Sequence, residues 1–109
     1  MPEERALSGF LGQGATFEGD LAFDGRVRLD GTFRGRLRTA DVLEIGARGR
    51  VEGEVDAREL RLAGSVEGAV RVRDLLVIEH TARVEGELSA GQLEVHPGAR
   101  IHATLKVGP

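Results

Sequence analysis

Five short stretches decide the fold: Phe17-Glu18-Gly19-Asp20-Leu21, Phe33-Arg34-Gly35-Arg36-Leu37, Val51-Glu52-Gly53-Glu54-Val55, Val66-Glu67-Gly68-Ala69-Val70 and Val84-Glu85-Gly86-Glu87-Leu88. Each reads apolar, any, glycine, any, apolar. A sixth copy, Ile101-His102-Ala103-Thr104-Leu105, puts alanine where the glycine stood. The central residues lie 16, 18, 15, 18 and 17 positions apart. Self-similarity at a nearly fixed short period marks a stack of repeated units, each unable to bury its apolar face alone.

Working outward, a second unit falls between the copies: Val27-Arg28-Leu29, Leu43-Glu44-Ile45, Leu60-Arg61-Leu62, Leu76-Val77-Ile78 and Leu93-Glu94-Val95. Apolar–any–apolar is the period-two pattern of a strand. The first unit extends this alternation one step, to Phe23, Thr39, Ala57, Val72, Ala90 and Val107. Three short inward-facing stretches per repeat predict a triangular coil. The chain is therefore expected to be all-β, one domain, a parallel β-helix of about six triangular coils. The expected boundaries are a partly disordered tail over 1–11, the β-helix over 12–107 and a short end over 108–109. Connectors of alternating length fit this reading. Leu29 to Phe33 and Leu62 to Val66 are short. Ile45 to Val51, Ile78 to Val84 and Val95 to Ile101 are longer, the last with a Pro97-Gly98 turn pair. A helix would recur at three and four residues, and each central glycine would cost it roughly 1 kcal/mol.

Stacked coils bring equivalent positions about 4.8 Å apart. The outward pairs Glu18/Asp20, Arg34/Arg36 and Glu52/Glu54 then alternate in sign, as do Arg28, Glu44 and Arg61. Opposite charges on neighbouring strands contribute a few tenths to about 1 kcal/mol per pair. Glu52, Glu67 and Glu85 form a like-charge column that Arg50 and Arg83 could neutralise. Alternation points the glycine column inward, into a crowded core; the other reading is a corner whose backbone needs positive φ, and Ala103 in the last copy favours crowding or a mild bend.

Composition narrows the function. Net charge is −3 over 109 residues, which argues against a general nucleic-acid binder. There is no cysteine, hence no disulfide frame or thiolate metal site. No apolar run reaches the ~18 residues that span a bilayer, and Glu3 and Glu4 stand where a signal peptide would be basic. A cytoplasmic location is expected. No phosphate-binding glycine loop precedes a helix. His80, His96 and His102 read as exposed corner and surface residues, with no acidic partner placed by spacing. The carboxylate pairs Glu52/Glu54 and Glu85/Glu87 read as a solvated face. No catalytic, cofactor or metal site is expected.

The ends carry the functional expectation. A terminal coil exposes an apolar face and unpaired strand edges, which solenoids usually cap. Met1 to Ser8 looks too short to cap one end, and the other stops at Leu105-Lys106-Val107-Gly108-Pro109. Phe10, Leu11, Phe17, Leu21 and Phe23 are the candidate self-association residues at the N-terminal end. Leu93, Val95, Ile101, Leu105 and Val107 are those at the C-terminal end.

At this point the chain resembles the bactofilins, bacterial cytoskeletal polymers. The likeness lies in GQGATFEGDLAFDGRVRLDGTFRG (Gly12–Gly35), in LEIGARGRVEGEV (Leu43–Val55) and in the later VEG copies. The resemblance implies a right-handed winding and nucleotide-independent, non-polar filaments joined through like ends. It also implies a scaffolding role in cell shape or in positioning partner proteins, often at the inner face of the cell membrane. Members often carry a short apolar N-terminal membrane motif and Pro-rich flanking tails, and this chain departs from that pattern, with only Leu7, Phe10 and Leu11 before the first coil and no Pro-rich stretch. Two other readings compete. A left-handed hexapeptide-repeat acyltransferase or metal enzyme shares IGARGRVEG but needs a regular period of eighteen. A short binding scaffold would present the arginines 26, 28, 34, 36 and 38 to an acidic partner.

Overall fold

The structure is a computed structural model that describes residues 9–108. The expectations for Met1 to Ser8, as tail or cap, lie outside the described residues, as does Pro109. Ten strands follow one another: β1 (Gly9–Leu11), β2 (Thr16–Phe23), β3 (Val27–Leu29), β4 (Thr32–Thr39), β5 (Val42–Ile45), β6 (Arg50–Ala57), β7 (Glu59–Leu62), β8 (Ser65–Ile78), β9 (Arg83–Val95) and β10 (Arg100–Val107). Every pairing is parallel. One ladder runs β1, β3, β5, β7, then the second half of β8 and of β9. The other runs β2, β4, β6, then the first halves of β8 and β9, and β10. These two ladders describe a solenoid of six coils.

The register is that of the repeats. Phe17, Phe33, Val51, Val66, Val84 and Ile101 stack in one column, and Leu21, Leu37, Val55, Val70, Leu88 and Leu105 in another. Interior members are sealed: Phe33, Leu37, Leu43, Val51, Leu60, Leu62, Leu76 and Ile78 are fully buried. The core is a narrow stack of Val, Leu and Ile, with Phe33 its largest fully buried side chain. Thr39, the buried polar side chain among the described residues, donates its hydroxyl to the Gly25 carbonyl and accepts from the Asp41 amide. Its polar atom is thereby satisfied inside an apolar column.

The glycine column corrects the inward expectation. Gly35 and Gly86 are exposed, and Gly19, Gly35, Gly53, Gly68 and Gly86 all have φ between 121° and 133°. The positive φ turns the strand at mid-length without breaking its alternation, and Val51 and Val55 stay buried on either side of Gly53. The glycine is thus the corner between two faces, not a filler of the core. Crowding enters differently. A Cβ on Gly53 would run into the Gly35 carbonyl, and one on Gly68 into the Gly53 carbonyl. Ala103 does not share this conformation, since no non-glycine residue has positive φ among the described residues. The last coil therefore turns without the shared glycine geometry.

The alternating corners also have a physical cause. Long corners close as turns, with Ala15 N donating to Gly12 O, Gly49 N to Gly46 O and Ala82 N to Glu79 O at 2.8–3.2 Å. Short corners nest between them. A Cβ on Gly64 would meet the carbonyl oxygens of Gly46 and Gly49, and one on Gly31 those of Gly12 and Ala15. The solenoid also begins before residue 12: Gly9–Leu11 pairs with Val27–Leu29 as the third face of the first coil. The expected tail boundary is moved accordingly.

Candidate functional site at the two ends of the solenoid

The outer faces of the middle coils are charged and laterally paired. Arg34 reaches Glu18 at 3.6 Å on one side and Glu52 at 3.5 Å on the other. Arg36 meets Glu54 at 3.4 Å and Arg50 meets Glu52 at 3.3 Å. This is the expected ladder. The Arg28–Glu44 rung differs: Arg28 turns to Asp30 at 2.9 Å and Glu44 is taken by Arg26 at 3.1 Å. The Asp30 hydrogen bond, with the neighbouring carboxylates, holds the Arg28 guanidinium above its ordinary pKa against the cost of desolvation. At the third corner Arg58 spans Asp41 at 3.0 Å and Asp74 at 3.3 Å, tying three coils together. Those hydrogen bonds raise its pKa too. The arginines read as a possible basic patch thus mostly face carboxylates of adjacent coils.

The histidines lie in the last two coils. His96 has an acidic partner after all, Glu94 at 2.7 Å, with Glu79 at 3.9 Å on the other ring nitrogen. Spacing concealed this contact because Glu94 projects from the strand leading into the corner. Among the described residues no group of three His, Cys, Asp or Glu side chains is arranged to hold a metal ion, and no helix is long and apolar enough to cross a membrane.

Among the described residues the core is open at both ends. Their exposed large apolar side chains are Phe10 at 58%, Val95 at 45%, Leu105 at 44% and Val107 at 53%, all in the first or last coil. At the N-terminal end Phe17, Leu21 and Phe23 are half-buried against the core, and Leu11 is buried. The Phe23 ring lies over Gly9, where a Cβ would collide with it. At the C-terminal end Leu93 and Ile101 are half-buried beside the exposed Val95, Leu105 and Val107. Ala99 and Ala103, which the sequence reading passed over, share that face. Each set continues a core column that is sealed one coil deeper: Leu105 sits above Leu88, Ile101 above Val84, and Leu21 below Leu37. Apart from Phe10, which stands in the outward column with Arg28, these are core residues lacking a neighbour on one side among the described residues.

Charge by coil was not read from the sequence. The first coil carries Glu18, Asp20 and Asp24 and no lysine or arginine between residues 9 and 25. The second answers with Arg26, Arg28, Arg34, Arg36 and Arg38 against Asp30 and Asp41. The sign keeps alternating to the last coil, where Arg100 and Lys106 outweigh Glu94. Adding charges within a coil, instead of following one column, would have revealed it.

No curated protein and no solved structure matches the chain significantly. A protein family does: Bactofilin, described as polymer-forming cytoskeletal, matches residues 9–106, which is nearly the whole solenoid from β1 to β10. This parallel β-solenoid, matched along nearly its whole described length, belongs to the bactofilin family of polymer-forming cytoskeletal proteins.

Proposed function

We propose that this chain is a cytoskeletal scaffold whose monomers join end to end, through the open faces of the first and last coils, into nucleotide-independent filaments. The observation that carries this reading is the placement of exposed apolar surface. Val95, Leu105 and Val107 are core-column residues left exposed on the last coil, and Phe17, Leu21 and Phe23 are their half-buried counterparts on the first, while the lateral faces of the middle coils are charged and internally paired. Apposed coils would bury these columns as the interior coils bury theirs, at about 25 cal/mol per Å² removed from water. The filaments join like end to like end and are therefore non-polar, as the family resemblance implies. They support cell shape or position partner proteins, in the cytoplasm and in part at the inner face of the membrane.

The hexapeptide-repeat enzyme loses its basis, because the paired coils repeat at 15 to 18 residues and not at a constant eighteen. The experiment is sedimentation and electron microscopy of purified, nucleotide-free protein. Wild type is expected to pellet as filaments. Leu105→Glu and Phe17→Arg are expected to reduce the pelleted fraction at least tenfold while keeping the β circular-dichroism signature. Glu67→Lys, on a mid-rod face, is expected to leave it unchanged. Equal loss in Glu67→Lys would contradict end contacts.

A further inference from the structure

The two ends differ in both terms that govern their self-contact. The C-terminal coil exposes Val95, Leu105 and Val107, and its charged groups are Arg100 and Lys106 against Glu94. The N-terminal coil exposes Phe10, but Phe17, Leu21 and Phe23 are already half-covered by packing within the chain. Its charged groups, Glu18, Asp20 and Asp24, are all acidic. Among the described residues Glu18 alone of these three meets a cation, Arg34 at 3.6 Å.

Resting on the end-to-end reading, we infer that the two junctions are unequal: a second copy of this chain binds tightly at the C-terminal coil, and the N-terminal coil closes a junction only when salt screens its carboxylate rung. Two copies meeting at their first coils set one acidic rung directly on another. The arginine rung of each copy lies one coil further from the contact, so it offsets the repulsion only in part. Repulsion of this kind extends ~30 Å at 0.01 M salt but only ~10 Å at 0.1 M. Two copies meeting at their last coils join a wide apolar face with little net charge, which salt hardly affects. The assembly unit is then a dimer joined through the sixth coil, and ionic strength sets whether dimers link into filaments.

The sign of the salt response tests this. Acidic against acidic is relieved by salt. A first coil meeting a last coil would set acidic against basic, and salt would weaken that contact. Sedimentation velocity and pelleting of the full chain are measured between ~0.01 M and ~0.3 M NaCl, a range over which the screening length falls steeply. Wild type is expected as dimer at low salt, with pelleted polymer rising several-fold as salt increases. Leu105→Glu is expected to convert the low-salt dimer to monomer. Glu18→Gln/Asp20→Asn/Asp24→Asn is expected to polymerise at low salt and lose the salt response. Asp20→Asn/Asp24→Asn, which keeps the Glu18–Arg34 pair, should do so in part and guards against an effect on folding. Polymer that falls with salt, or is indifferent to it, overturns the inference while leaving end-to-end assembly standing. So does a triple variant that behaves as wild type. A wild-type chain monomeric at every salt concentration overturns both.

Discussion

Gly53 illustrates how much one backbone angle decides. Its φ of 133° is open to glycine and strained for any L side chain, and the Gly35 carbonyl occupies the space a Cβ would need. Gly53→Ala is therefore expected to cost more than the ~1–3 kcal/mol of the backbone strain alone. Gly19 has similar φ but nothing within 4 Å of its Cβ position. Gly19→Ala should cost only the strain. Denaturant unfolding of both, in an assembly-blocked Leu105→Glu background, checks the ranking. Equal losses would mean that the stacked carbonyl contributes nothing. Thr39→Val removes the donor to the Gly25 carbonyl and is expected to cost about 1 kcal/mol in the same assay. The position of these glycines was legible in the sequence but their direction was not. Counting alternate residues places Val51, Val55 and Ala57 inward correctly, but it cannot show that the chain turns a corner at the glycine between them. Ala103 added to the error, because a coil that turns without glycine made the column look like a matter of size.

Strands and corners were the most legible level. Identical units at similar spacing fix a parallel register, because a one-residue slip would send every apolar side chain outward. Phe17 does pair with Phe33, and Val66 with Val84. The corners after Ala57, Val72 and Ala90 carried no such signal. The last two are so short that β8 and β9 run on through them, β8 with a register shift between Val72 and Leu75. Lateral charge could be read only where strands are long enough to hold the arginine in line. Arg34→Glu would place a carboxylate between Glu18 and Glu52, replacing two contacts near 3.5 Å by repulsions. Each such pair is worth a few tenths to about 1 kcal/mol. A modest fall in melting temperature is expected, larger at low salt than at high salt. A fall independent of salt would point to packing instead.

At the scale of the molecule, a solenoid gains stability by adding neighbours, and its ends are where that gain stops. Leu105 and Val107 were recognisable as end residues because their core columns run out there, whereas Phe10 stands in the outward column of Arg28, Glu44 and Arg61. The unequal charge of the ends was hidden by reading single columns, and it emerges once each coil is summed. Interior columns that are sealed, and among the described residues open at both ends, are the basis of the proposed growth along the rod axis. Fibre diffraction from aligned wild-type filaments tests that geometry most directly. Coils stacked along the filament put the strand spacing of about 4.8 Å on the meridian, parallel to the fibre axis. A 4.8 Å reflection on the equator would mean that the rods associate side by side, and would contradict assembly through the terminal coils.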